Sequence, residues 1–195
     1  MNYTSIKSIL DYLFLILISP LFLFLMIFFS VLIKIYNPNE KIFFVQGRVG
    51  YKGKIFKMYK FRTMYSSTPN NLFTSHDDPR VDKLGVILRR FRIDEIPQFI
   101  NIFLGEMSLI GPRPEQIHFV EELLIKFGPK FHVRHDVLPG ITGLAQIEHG
   151  YVSDFNDYKV KLDYDIIYVN NLSLMQDIKI FVKTIFVVFL RLGSR

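Results

Sequence analysis

Two adjacent carboxylates, Asp94 and Glu95, follow three arginines and precede a proline in Arg89-Arg90-Phe91-Arg92-Ile93-Asp94-Glu95-Ile96-Pro97-Gln98. Inside a helix that proline loses a hydrogen bond and clashes with the Ile93 carbonyl; in a first turn it is nearly free of cost. The spacing predicts a helix over 94–104. Both carboxylates then sit at the positive end of a helix dipole, beside arginines, where the ionised form is favoured. Successive helical residues point about 100° apart, so the two side chains divide tasks: one attacks an electrophile while the other holds a metal ion. The plain alternative is capping and surface ion pairing.

Other residue types suit an anionic substrate. Arg113 stands between Pro112 and Pro114, which restrict the backbone that carries its guanidinium and suit bidentate phosphate binding; alone, this is a rigid connector. Lys60 and Arg62 alternate onto one side of a strand-like run, Ile55-Phe56-Lys57-Met58-Tyr59-Lys60-Phe61-Arg62, as a phosphate site or as a solvated basic face near acidic lipid. Asp77-Asp78 reads as turn chemistry before metal binding. His132, His135 and His149 lack metalloenzyme spacing and read as structural or surface histidines.

The elements that position these groups divide the 195 residues at about position 36. Residues 12–33 are 22 nearly unbroken apolar residues, enough to span a bilayer. No small-residue cleavage site follows, and the run is too long for a signal peptide. Ser19-Pro20 interrupts it, where a proline kinks a helix and a serine hydroxyl takes up a freed carbonyl. Both flanks are basic, with Lys7 before and Lys34, Lys41, Arg48, Lys52 and Lys54 after, so both ends favour the cytoplasm. A plain span and a re-entrant helix-break-helix both fit; Asp11 at the edge needs a partner, for which Lys7 is one turn away.

After this segment, Ile42-Phe43-Phe44-Val45 and the run from Ile55 predict a hairpin punctuated by Gly47, Gly50 and Gly53. A polar loop over 65–80 and short helices over 84–92 and 115–127 come next, the last started by Pro114. Pro139-Gly140-Ile141-Thr142-Gly143 makes a tight turn. Helices over 151–171 and 176–191 complete the chain, the last amphipathic and interfacial or part of the core. The class is α+β, mainly helical. Net charge is +6, from 24 Lys plus Arg against 18 Asp plus Glu, which suits anionic partners. There is no cysteine, which excludes disulfides and thiolate chemistry. The basic residues cluster around carboxylates without a recognition-helix pattern, which speaks against nucleic acid.

The ordered set of motifs resembles the bacterial sugar transferase family, the small monotopic polyprenyl-phosphate phosphoglycosyl transferases. It comprises Gln46-Gly47-Arg48-Val49-Gly50, Lys60-Phe61-Arg62-Thr63-Met64, Asp78-Pro79-Arg80, Leu88-Arg89-Arg90, Asp94-Glu95-Ile96-Pro97-Gln98, Met107-Ser108-Leu109-Ile110-Gly111-Pro112-Arg113-Pro114, Pro139-Gly140-Ile141-Thr142-Gly143-Leu144-Ala145-Gln146 and Asp177-Ile178-Lys179-Ile180. The resemblance implies transfer of sugar-1-phosphate from a UDP-sugar to undecaprenyl phosphate, giving a polyprenyl diphosphate sugar and UMP. That is the initiating step of a surface polysaccharide or glycoconjugate pathway. It implies an Asp-Glu dyad working with Mg²⁺, matched by Asp94 as nucleophile and Glu95 as metal ligand. Arg113, Lys60, Arg62 and Arg89 are then phosphate contacts.

It further implies residues 1–36 re-entrant in the inner membrane, broken at Ser19-Pro20, and residues 37–195 as a compact catalytic domain on the cytoplasmic face. Inner-membrane lipid is a partner, and a homo-oligomer is left open. Asp165 matches a family aspartate of unassigned role. Three departures stand out. Lys7 is followed by Ser8, Ile96 replaces leucine, and His149-Gly150-Tyr151 stands where Gly-Arg is common, a region that bears on sugar identity. The multi-helix N-terminal domain of larger members is missing. The rival readings are a membrane-tethered glycosyltransferase that releases UDP and a non-catalytic basic protein that docks on membrane.

Overall fold

In the computed structural model the chain is described over residues 3–65, 80–149 and 155–189. Asp77-Asp78, most of the polar 65–80 loop, Gly150-Tyr151 and Arg191 lie outside the described residues.

The apolar run forms one helix, α1 (Tyr3–Tyr36), continuous through Ser19 and Pro20. Pro20 has no N–H for the Ile16 carbonyl, and the Ser19 Oγ donates to that carbonyl instead, at 2.9 Å. The expected break is thus a repaired position inside a continuous helix. One stripe of α1 meets the rest of the protein along its length. Lys7, Asp11, Leu15 and Ile33 are buried. The other faces leave Leu17, Leu21, Phe24, Ile27 and Ile35 largely exposed. Among the described residues α1 is the one helix long and apolar enough to cross a membrane.

Polar contacts fix the N-terminal end of α1, but not as the sequence suggests. Lys7 pairs with Asp177 of the last helix at 2.5 Å, and Asp11 accepts from the Ser108 hydroxyl at 2.6 Å. Asp11 is therefore satisfied across the fold, not by Lys7 alone.

The hairpin forms as expected: β1 (Phe43–Val49) and β2 (Ile55–Phe61) pair antiparallel from Phe43 opposite Phe61 to Val49 opposite Ile55. Gly47 lies within β1, so only Gly50 and Gly53 punctuate the turn. A short β4 (Glu115–Gln116) adds to the other edge of β1, opposite Val49 and Arg48. Glu115 is therefore in a strand, and the expected helix starts later, as α4 (Ile117–Phe127). Ladder pairing with Val49 outcompetes helix initiation after Pro114. Separately, β3 (Ser108–Ile110) runs parallel to β5 (Gly140–Thr142). The remaining helices are α2 (Lys83–Arg90), α3 (Phe99–Phe103), α5 (Leu144–Glu148), α6 (Phe155–Asn170) and α7 (Leu174–Phe189).

Apolar packing joins α1 to the body twice. Leu15 is buried with Phe56, Met58, Ile102 and Met107. Ile33 is buried with Phe61, Leu84 and Leu88. A third cluster, Leu123, Phe131, Tyr158 and Leu162 among them, seats α4 against α6. The sequence-expected boundary at residue 36 thus separates two stretches that share cores.

Three glycines bring two backbone segments together without side chains between them. A Cβ on Gly140 would lie 2.1 Å from the Gly111 nitrogen and 2.4 Å from the Thr142 oxygen; one on Gly143 would lie 2.2 Å from the Gly111 oxygen. Gly140→Ala is expected to cost about 2 kcal/mol or more, because backbone must move. Gly53→Ala, in open space at φ +75°, should cost only the left-handed penalty of about 1–2 kcal/mol. Thermal unfolding of both variants in detergent gives the order.

Candidate active site

Asp94 and Glu95 lie in a 3-10 helix (Ile93–Gln98) that precedes α3. The expected α-helix from Asp94 therefore begins as a tighter turn, with Pro97 inside it. Arg92, in the left-handed region at φ 54°, turns the chain out of α2 into this segment. For a residue with a Cβ that conformation is strained. Asn101 of α3 then locks the segment to β2: its Oδ1 accepts from the Tyr59 N–H at 3.1 Å and its Nδ2 donates to the Lys57 carbonyl at 2.7 Å. The amide behaves as one more strand neighbour and sets β2 beside the carboxylates.

Both carboxylates are buried, each 8% exposed. Arg113 forks onto Glu95: Nη1 donates to Oε2 at 3.2 Å, and Nη2 donates to Oε1. Lys60 donates to the same Oε1 at 3.1 Å. Burial pushes the Glu95 carboxyl up, but the Arg113 and Lys60 charges outweigh it and hold Glu95 well below the usual range. Asp94 goes the other way. Burial, then repulsion from Glu95, raises it despite the Lys60, Arg89 and Arg113 charges. The dyad therefore holds one firmly ionised carboxylate and one that takes a proton more readily.

Of the expected phosphate contacts, Lys60 and Arg113 are at the dyad. Arg89 is near enough for its charge to act on Asp94, with its Nε donating to the Thr63 hydroxyl at 2.9 Å. Arg62 reaches toward the linker before β1, donating to the Lys41 carbonyl at 3.1 Å, with Glu40 at 3.8 Å. His132 is exposed and His135 buried. Burial and the neighbouring Arg134 charge push His135 down to about 4.

Sequence reasoning missed the groups that hold Arg113 in place. Arg134, at 2% exposure the largest buried side chain among the described residues, donates from Nη2 to the Arg113 carbonyl at 2.7 Å. Arg48 donates to the next carbonyl, that of Pro114, at 3.0 Å. Two guanidinium groups thus grip successive peptide carbonyls of Pro112-Arg113-Pro114. Arg134 is itself fixed by Asp165, at 2.9 Å from Nη2, and by the Tyr158 hydroxyl at 3.0 Å. Glu115 accepts from Tyr158 at 3.0 Å and pairs with Lys161. Burial raises the Glu115 carboxyl, but Lys161 and Arg134 outweigh it and keep it ionised. The signal in the sequence was the buried face of α6, where Tyr158, Leu162, Asp165 and Tyr168 share one stripe. A carboxylate on an apolar stripe calls for a buried cation.

The model of the bacterial sugar transferase family matches residues 2–191. The chain belongs to the bacterial sugar transferase family. It is 42% identical over 195 residues to the UDP-N-acetylgalactosamine-undecaprenyl-phosphate N-acetylgalactosaminephosphotransferase of Aeromonas hydrophila, covering 99% of this chain and 46% of that protein. It is 38% identical over 184 residues to the UDP-glucose:undecaprenyl-phosphate glucose-1-phosphate transferase of Escherichia coli (strain K12), covering 91% and 38%. The exopolysaccharide production protein ExoY of Sinorhizobium fredii is 38% identical over 209 residues, covering 97% and 86%. The chain thus spans less than half of the first two relatives and most of the third.

Asp165 thus connects through Arg134 to the arginine at the dyad. Removing the cation leaves a buried carboxylate uncompensated. Arg134→Met should therefore cost about 3–5 kcal/mol. Adding Asp165→Leu to it should restore part of that stability, in a double-mutant cycle followed by thermal unfolding in detergent.

Proposed function

We propose that this chain transfers sugar-1-phosphate from a UDP-sugar to undecaprenyl phosphate, the initiating step of a surface polysaccharide or glycoconjugate pathway. The observation that carries the reading is the buried dyad, with Glu95 clamped by Arg113 and Lys60 and Asp94 left as the less neutralised carboxylate. Family membership and the activities named for two relatives supply the reaction class.

In the first step an Asp94 oxygen attacks the sugar-bearing phosphorus. The bond from that phosphorus to the bridging oxygen breaks, and UMP leaves with the electron pair. The product is an acyl phosphate on Asp94. In the second step an oxygen of undecaprenyl phosphate attacks the same phosphorus, the bond to Asp94 breaks, and the carboxylate is restored. Arg113, Lys60 and Arg89 carry positive charge beside the dyad, which lets a diphosphate approach two carboxylates. Arg62, farther out, fits a peripheral phosphate contact.

Mg²⁺ suits this donor set. Two carboxylates offer hard oxygen donors, and among the described residues no group of three or more acidic, His or Cys side chains forms a full metal cage. The ion would be held by Glu95 and completed by diphosphate oxygens and water. Glu95 then yields at least one contact to Arg113 or Lys60. When bound, the ion neutralises charge on the diphosphate.

Membrane placement follows the same reading. The exposed apolar faces of α1 require cover by lipid. Lys7 at one end contacts Asp177, and Asn37, just past the other end, donates to Asp82 at 2.7 Å. Both ends are thus tied to one body. Contacts at both ends favour α1 seated in one leaflet and bent at Pro20, so that it enters and leaves by the cytoplasmic face where the catalytic body sits.

Two outcomes are expected. UDP-sugar with undecaprenyl phosphate and Mg²⁺ should release UMP, and Asp94→Asn should lower the rate by at least roughly a thousandfold; UDP as product would instead mark a glycosyltransferase. Asp94 must be ionised to attack and its pKa is raised. Activity should therefore fall on acidification at a pH above the ordinary aspartate value of about 3.9. Arg89→Gln, which removes a charge that lowers Asp94, should move that acid limb further up in a pH profile of UMP release.

A further inference from the structure

A cleft of about 160 Å³ opens between the dyad turn and α7. Glu95 and Arg92 stand in its lining, and the walls are Ile96 and Phe99, Ile141 and Ile147, and Val187 and Val188. Its polar side chains are mostly taken by one another. The Thr142 and Thr184 hydroxyls are 2.8 Å apart, Thr184 also donates to the Ile180 carbonyl at 2.7 Å, and Gln146 donates to the Ile141 carbonyl at 2.9 Å.

The surroundings are apolar outward as well. Phe99 meets Phe22 of α1 edge-on at 5.5 Å, and Phe14 of α1 meets Phe181 of α7 at 5.9 Å. The opposite face of α7 exposes Ile178, Val182, Ile185 and Phe186. The cleft thus lies against the two helices that present lipid-compatible surface, and it reaches the carboxylate clamped by Arg113 and Lys60.

Its occupant must be apolar along its length, and Arg92 in the lining, with Arg113 and Lys60 on Glu95, suits an anion at the dyad end. A sugar or nucleotide would bring hydroxyls against walls that leave them unpaired, which is unfavourable. A prenyl chain brings none. We infer that this cleft seats the first isoprene units of the acceptor lipid phosphate, with its phosphate directed to the Glu95 end. The inference rests on the acceptor assigned in the proposed reaction. The Gln146 Oε1, buried without a hydrogen bond among the described residues, is the one feature that suits a nucleobase instead, and the test below separates the two.

The chain has no cysteine, so Val187→Cys and, from the opposite wall, Ile147→Cys each give a unique thiol. Alkylation by N-ethylmaleimide is followed on the full-length protein in detergent, with undecaprenyl phosphate, undecaprenol, UMP or UDP-sugar present. Undecaprenyl phosphate at ten times its Kd should slow alkylation about tenfold, with less protection by undecaprenol and none by UMP or UDP-sugar. Protection by UMP or UDP-sugar, or none by any of them at both positions, overturns the inference. In parallel, Ile147→Trp should raise the KM for undecaprenyl phosphate at least about tenfold and leave the KM for UDP-sugar unchanged; the reverse pattern also overturns it. Thiol protection needs no turnover. Lipid protection without UMP release from the unsubstituted protein would therefore overturn the proposed reaction while upholding the cleft as a prenyl-phosphate seat.

Discussion

Burying two adjacent carboxylates is the constraint on which the rest of this structure depends. A desolvated carboxylate is tolerated only when cations or hydrogen bonds replace water. In their own turn Arg92 adds its charge to Glu95, and the chain brings the other cations from elsewhere. Lys60 comes from β2, Arg113 from the link between β3 and β4, and Arg89 from α2. Each donor then needs its own support. Asn101 fixes the dyad segment to β2, and Arg134 and Arg48 fix the successive carbonyls of Arg113 and Pro114. Three glycines allow the neighbouring backbone to close in. The site is a hierarchy: carboxylates held by cations, cations by backbone, backbone by a second buried ionic network.

The asymmetry of the dyad follows from that arrangement. Arg113 and Lys60 both act directly on Glu95, so its charge is locked in. Asp94 feels those cations less and feels the Glu95 charge as repulsion. Two neighbouring carboxylates with nearly identical intrinsic acidity are thereby assigned different states by geometry, the same logic by which paired acids elsewhere acquire separate roles.

Local features were legible in the sequence and long-range ones were not. The apolar helix, the hairpin, the proline-flanked arginine and the Asp-Glu pair are read from composition and spacing within a few residues. The Ser19 hydroxyl found the carbonyl that Pro20 frees, because that chemistry is also local. Glu115 was misplaced into a helix because its ladder partner, Val49, is distant in the chain. Lys7 was assigned to Asp11, four residues on, when Asp177 binds it across 170 residues. Arg134 escaped altogether, and Asp165 was singled out without a role: each looks like an ordinary charge until the fold buries both. No periodicity encodes such pairs. Only the motif set as a whole, through the family it resembles, carried information about the reaction.

The packing of α1 has a consequence for how this molecule is built. Leu15 and Ile33 are among its most buried side chains, each 1% exposed, and each sits in a cluster with residues of the body. The hydrophobic segment is therefore not a tether attached to an independent enzyme. It forms a wall of the interior on one side and exposes an apolar face on the other, so that face and the protein core are separated by the thickness of a single helix. Cutting the chain after Tyr36 would not release a soluble catalytic fragment. It would open two apolar clusters to water and remove the partner of Asp177. The apolar segment is thus a condition of folding for this chain, and the place of the carboxylates relative to that exposed apolar face is set by the same side chains that hold the body together.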